Sequence, residues 1–249
     1  MTEPLNNTRH LTASSPLAME ITAENLLQIG AVNFLLDQPI RLKSGLVTPI
    51  YVDNRQLISH PDEWHDIIET MASCIEALKL DFDCVAGVEG AGISHSAALA
   101  YRMNKPNLYV RRAPKTYGDR SRFEGGTVAG KKVLLIEDHI STGLSCLDAI
   151  DALRAEGATV TDCLSITNYD MPETERLFAK AGVATYAMLP FSFILDKAET
   201  LGMINAAQHE DLKDWLATPW TWSMRRGSAV TAWASFPSKL TILVMVATT

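Results

Sequence analysis

From Cys84 to Leu189 short apolar runs alternate with helical ones, and this constrains the fold more than any other feature of the chain. The runs "CVAGV", "NLYVRR", "KVLLIED", "DCLSITN" and "ATYAML" read as buried strands. Most are separated by helical patterns: "GISHSAALAYRMN", "GLSCLDAIDALRAEG" and "PETERLFAKAG". Strands alternating with helices predict an α/β fold with a parallel sheet covered on both faces. Two further helical patterns, "ENLLQIGAVNFLLDQ" and "DEWHDIIETMASCIEALKL", precede the first strand, and "AAQHEDLKDWLATPW" follows the last. The 249 residues, 47% of them apolar, suffice for one well-cored domain.

The formal charge of −7 argues against a broad basic surface for nucleic acid or anionic lipid, so any phosphate must be gripped locally. Cys74, Cys84, Cys146 and Cys163 form no CxxC pair and no zinc spacing, which predicts a reduced, cytoplasmic chain. The first twenty residues lack the basic start and apolar run of a secretory signal and read as a loose arm. The run "LTILVMVA" near the end falls well short of the roughly 20 residues a membrane helix needs, and residues 223–249 read as an atypical extension.

In a parallel α/β sheet ligands bind beyond the carboxyl ends of the strands. "VLLIEDHISTGLS", Val133 to Ser145, places Glu137 and Asp138 at that rim, as the last residues of a strand, and leads directly into a helix. Backbone N–H groups with the hydroxyls of Ser141, Thr142 and Ser145 make an anion pocket at such a helix start. Two acids beside a phosphate pocket fit vicinal hydroxyls, hence a sugar phosphate. An ordinary capped strand-to-helix turn is the plainer reading of the same residues. "GGTVAGKK" is no Walker loop, because Ser or Thr after GK is missing and it precedes a strand. His95 reads as a helix-start residue and His60 as part of a turn.

"VLLIEDHISTGLS" resembles the phosphoribosyl diphosphate (PRPP) signature of type I phosphoribosyltransferases, with His139 where that family carries an aliphatic residue. "RLKSGLVTPIYVDNRQLISHP" resembles the N-terminal signature of orotate phosphoribosyltransferases. "YVRRAPKTYGDRSRFEGG" is similar to that family's mobile catalytic loop, and "GVEGAGISHSAALA" to the loop that meets pyrophosphate. The resemblance runs from about Glu20 to Trp222 with its four signatures in order.

The resemblance implies a Rossmann-like parallel sheet flanked by helices with a small N-terminal hood. It divides the chain into an arm (1–20), a transferase domain (21–222, hood 21–60, core 61–222) and the extension (223–249). It implies transfer of 5-phosphoribosyl from PRPP to orotate, giving orotidine 5′-monophosphate and pyrophosphate in pyrimidine synthesis. Lys115, Glu137 and Asp138 take the catalytic roles. Lys43 falls on the base and pyrophosphate side, and Arg111, Arg112 and Lys115 meet pyrophosphate. Tyr117 stands where the family has histidine. His139, Ile140, Ser141, Thr142, Gly143, Leu144 and Ser145 complete the PRPP loop, with the His139 ring expected to turn away from the pocket.

The cofactor implied is Mg²⁺, held mainly by PRPP oxygens and water rather than by protein ligands. The family's lid usually reaches a neighbouring subunit, implying a homodimer. Many members carry an orotate-supporting arginine where this chain reads "SITNYDMP", with Asn168 and Tyr169. Two other readings compete. A purine or other base salvage transferase lacks the Lys43 to Arg55 element, and a PRPP-sensing regulator loses the catalytic lid that Lys115 marks here.

Overall fold

The computed structural model describes residues 14–42, 44–114 and 122–226. Helix α1 (Pro16–Gln28) opens on a Ser15 cap whose side chain accepts from the Ala18 amide, with Pro16 at its first position. It therefore occupies part of the segment expected as a loose arm. The helix expected over 24–38 is cut short. Gly30, at φ +71°, takes the left-handed turn, its N–H bonding Leu27 O and that of Ala31 bonding Leu26 O. The apolar residues beyond enter strand β1 (Val32–Phe34) instead.

The hood continues with β2 (Ile40–Arg41), β3 (Val47–Thr48) and β4 (Ile50–Val52), paired antiparallel as β1–β4 and β2–β3. A 3-10 turn (Asn54–Ser59) and α2 (Pro61–Leu78) lead into the core. There follow β5 (Cys84–Val88), α3 (Gly92–Arg102), β6 (Asn107–Val110), β7 (Phe123–Glu124), β8 (Lys132–Ile140), α4 (Leu144–Ala155), β9 (Thr159–Asn168), α5 (Pro172–Ala181), β10 (Ala184–Pro190), α6 (Phe191–Thr200), α7 (Ala206–Ala217) and α8 (Pro219–Arg226). Helix α8 runs past Trp222, where the domain was expected to close.

The central sheet has the order β10-β9-β8-β5-β6-β7. All its pairings are parallel except β6–β7, so the expected parallel sheet carries one short antiparallel edge strand. The strand order reverses between β5 and β8, which places a ligand crevice at their carboxyl ends. Alternation along β8 serves both faces. Leu134 and Ile136 enter the core shared with α1, α2, α6 and α7, whereas Val133 and Leu135 enter the one built with α4 and α5.

Helix α3 crosses β5 and β8 at very close range. A Cβ at Gly87 would lie 2.5 Å from the Gly92 carbonyl oxygen and 2.3 Å from Ser96 Oγ, and one at Gly92 would lie 2.7 Å from the Ile136 carbonyl oxygen. Backbone, unlike a flexible side chain, cannot swing aside. We expect Gly87→Ala to destabilise the fold by on the order of 3 kcal/mol, read as a lower midpoint in urea unfolding at unchanged slope.

Candidate active site

Strand β8 outruns its neighbour. Its pairing with β5 ends at Ile136 opposite Gly87, while its pairing with β9 continues to Ile140 opposite Asn168. Glu137 and Asp138 therefore lie inside β8 rather than at its end, on a stretch that only β9 accompanies. With β5 gone, the Asp138 amide donates to Glu137 Oε1 (3.1 Å) and the Asp138 carbonyl accepts from Asn54 Nδ2 (2.9 Å).

Glu137 is buried, and Cys146 of α4 directs its thiol at Oε2 from 3.8 Å. Burial, with Cys146 and Asp138 adding to it, pushes the Glu137 carboxyl well above the usual range. Burial also raises Asp138, against the bonds it accepts and the Arg55 charge. Asp138 is the more exposed of the two.

Past Ile140 the chain turns through Ser141, Thr142 and Gly143 into α4. Gly143 sits at φ +73°, and a Cβ there would lie 2.6 Å from Phe178 Cε2 and 3.0 Å from Thr174 Cγ2. Helix α5 thus clamps the loop from outside, and Thr174 Oγ1 donates to the Ser141 carbonyl (3.0 Å). Ser141 Oγ is buried with no partner among the described residues, a hydroxyl free to meet an acceptor.

Cations face this loop from the end of β6 and the start of β7. The Arg112 amide donates to Glu89 Oε2 (2.7 Å) and its Nε to the Glu89 carbonyl (3.1 Å), while Arg111 lies 3.6 Å from Glu124 Oε1. Arg122 forks onto Asp148 of α4 and donates to the Arg111 carbonyl (2.9 Å). A cleft of about 530 Å³ is lined by Arg55, Glu89, Gly90, Arg111, Arg112 and Ala113. Next to it a 270 Å³ cavity reaches Leu144 and Ser145. Lys43, Lys115 and Tyr117 lie outside the described residues.

Sequence reasoning missed Arg55, Asn54, Glu89 and Arg122. Arg55 bonds Asp53 and the Tyr51 hydroxyl (3.0 Å) and projects its charge toward Asp138. Its guanidinium pKa is raised, chiefly by the Asp53 hydrogen bond. Only the spacing of Asp53 and Arg55 after Tyr51 could have hinted at this.

The His139 ring packs edge-on to Tyr169, centroids 4.2 Å apart, with Nδ1 2.9 Å from Thr167 Oγ1. Burial lowers its pKa to about 3, so the ring is neutral. Tyr169 donates its hydroxyl to the Ile50 carbonyl (3.1 Å) and so holds the hood. Among the described residues no group of three or more His, Cys, Asp or Glu side chains is arranged to hold a metal ion, and no helix is long and apolar enough to cross a membrane.

Residues 53–176 match the family model described as a phosphoribosyl transferase domain. The orotate phosphoribosyltransferase of Coxiella burnetii is 40% identical over 200 residues, covering 80% of this chain and 96% of that protein. The chain belongs to the orotate phosphoribosyltransferase family. Among solved structures, that of Leishmania donovani UMP synthase superposes with a TM-score of 0.70 at 28% identity, covering 80% of this chain and 42% of that longer one. The orotate phosphoribosyltransferase of Aeropyrum pernix gives 0.61 at 28% identity, covering 73% and 99% respectively. The expected type I phosphoribosyltransferase fold is thus the observed one.

In this family member His95 of α3 pairs with Trp64 of α2. It is fully buried, its Nδ1 accepts from Trp64 Nε1 (3.0 Å), and burial lowers its pKa to about 4. The unfolded chain binds a proton near pH 6.5 that the folded chain refuses until about pH 4, so this histidine's contribution to stability is lost as pH falls through that window. The slope is on the order of 1.4 kcal/mol per pH unit at its steepest. Urea unfolding of His95→Gln beside the unsubstituted protein, at pH 7.5 and 5, should show the stability gap between them shrinking at the lower pH. Comparing the two proteins cancels Glu137 and Asp138, whose raised pKa values act in the opposite sense.

Proposed function

We infer that this site transfers the 5-phosphoribosyl group of PRPP to orotate, releasing pyrophosphate and orotidine 5′-monophosphate, a step of pyrimidine nucleotide synthesis. The observation that carries the reading is the convergence at one rim of an acid pair, a hydroxyl-bearing loop at a helix start and an arginine-lined cleft, in a chain of this family.

Each part suits one part of the substrate. Asp138, with Glu137 behind it, accepts from the ribose hydroxyls. The Ser141 to Ser145 loop takes the 5-phosphate on backbone amides and hydroxyls, and the unpartnered Ser141 Oγ supports that role. Arg111 and Arg112 meet the pyrophosphate, joined by Lys115 of the lid, and Lys43 and Tyr117 reach the base and pyrophosphate side. Ile140 is buried and anchors the loop's start.

The reaction breaks the bond from the anomeric carbon to pyrophosphate oxygen and forms one to a ring nitrogen of orotate. The electron pair of the broken bond leaves with pyrophosphate, the nitrogen lone pair fills the anomeric carbon, and the proton that this nitrogen carried passes to the departing pyrophosphate. Positive charge gathers on the ribose ring and negative charge on the leaving group. Fixed cations lower the second, Asp138 eases the first, and lid closure keeps water from the reactive carbon.

Mg²⁺ fits this chain as a substrate-borne ion. Most of its ligands would be PRPP oxygens and water, as suits a small divalent ion that gives up its waters reluctantly. When bound it supplies charge neutralisation at the pyrophosphate. We assign the chain to a homodimer, with the lid reaching the partner's site, and to the cytoplasm.

Purified protein should consume orotate, followed by ultraviolet absorbance, only with both PRPP and Mg²⁺ present. Turnover of hypoxanthine or adenine with orotate untouched would overturn the reading. The acids should be unequal. Glu137 already has both oxygens engaged within the protein, so Asp138→Asn should weaken PRPP binding more than Glu137→Gln, by about tenfold in calorimetric Kd. Equal Kd for the two variants would remove that asymmetry.

A further inference from the structure

We propose that Asn54 is a positioning residue for Asp138, itself held in place by Thr167 and His139. The inference rests on the phosphoribosyltransferase reading of the site and adds to it a residue that touches no substrate.

The argument begins with the backbone of Asp138. Because β5 stops pairing at Gly87, the Asp138 carbonyl has no strand to bond on that side. Asn54, 84 residues earlier and fully buried at the first position of the 3-10 turn, supplies the missing donor through Nδ2 at 2.9 Å. The hood thus stands in for a strand at the point where the sheet opens for substrate.

The orientation of the Asn54 amide is fixed by a second contact. The other Nδ2 hydrogen meets Thr167 Oγ1 at 3.2 Å, and that hydroxyl lies 2.9 Å from His139 Nδ1. Whichever way the bond to the neutral imidazole runs, the threonine oxygen keeps a lone pair to accept from Asn54. Turning the amide over would set Oδ1 against the Asp138 carbonyl oxygen. His139 and Thr167 face each other across β8 and β9, so the chain of bonds is built into the strand register.

The arrangement has a cost that a purely structural brace would not need. Asn54 Oδ1 is buried without a partner among the described residues, and so is His139 Nε2. Each such orphan opposes folding, whereas an apolar pair of similar shape would not. What the unit secures is the spacing between Asp138 and the adjacent Arg55, whose charge acts on Asp138 and whose side chain lines the cleft. His139, the departure within the PRPP signature, thereby gains a role: it orients Thr167.

The test uses steady-state kinetics of the full chain with Asn54→Ala, Thr167→Val and Thr167→Ser, and PRPP calorimetry alongside. Asn54→Ala and Thr167→Val should each raise KM for PRPP about tenfold while kcat changes by less than about threefold. Thr167→Ser, which keeps the hydroxyl, should stay within about threefold of the starting protein, and combining Asn54→Ala with Thr167→Val should be no worse than either alone, since both break one unit. If Asn54→Ala does not fold, the near-isosteric Thr167→Val carries the comparison. A KM for PRPP that ignores both substitutions in folded, active protein overturns this inference and leaves the proposed function standing. So does a loss that tracks melting temperature with Thr167→Ser no better than Thr167→Val. Absence of orotate turnover in the unsubstituted protein takes down both.

Discussion

Strand β8 is longer than the strand beside it, and the site depends on that mismatch. A parallel sheet satisfies backbone groups on both sides of every interior strand, so a strand that outruns its neighbour must find other partners for its amides and carbonyls. At Asp138 these are the Glu137 carboxyl and the Asn54 amide. The same mismatch opens the crevice. It can open because Gly87 and Gly92 let α3 lie against the strands, bringing the Glu89–Gly90 turn and the Arg112 backbone over the gap. Bulk at either glycine would push the helix, and with it the cationic side of the cleft, away from the acids.

The hood is held by directional bonds as much as by apolar area. Tyr169 donates to the Ile50 carbonyl and Trp215 Nε1 to the Val47 carbonyl at 2.9 Å, both from residues almost fully removed from water. Their rings also meet edge to face, with centroids 4.8 Å apart, and Phe191 and His139 extend the cluster. Such ring pairs contribute about 0.5–1.5 kcal/mol each beyond their area. Trp215 belongs to α7 and Phe191 to α6, so the C-terminal helices help to hold strands β3 and β4 in place.

What could be read in advance was contiguous in sequence. The strands from β5 to β10, other than β7, and the helices between them carry their own apolar signatures. The acid pair and the Ser141 loop lie within thirteen residues. The α1 boundary was misplaced because "ENLLQIGAVNFLLDQ" keeps helical spacing across Gly30, and spacing alone cannot register a left-handed residue that ends a helix. The two- and three-residue hood strands and β7 are too short for any period to show. Asn54 escaped notice for a different reason. Its partners, Asp138 and Thr167, lie 84 and 113 residues away, and a lone asparagine beside an arginine carries no local sign of either.

An acidic chain that binds a polyanion has to arrange its charge locally. Two unit charges about 4 Å apart interact by about 4 kcal/mol at an effective dielectric of 20, so a fully ionised acid pair would oppose a sugar phosphate strongly. Burial relieves this at Glu137 by holding its carboxyl toward the neutral form, and Arg55 offsets the charge that Asp138 keeps. On the opposite wall Arg122 is spent on Asp148, which leaves Arg111 and Arg112 as the cleft-lining cations of that wall among the described residues. The Asp148 contact still serves them, because Arg122 also grips the Arg111 carbonyl and so fixes the backbone from which both side chains project. Net charge therefore says little about what this molecule binds, and the burial of one carboxyl and the pairing of one arginine say much more.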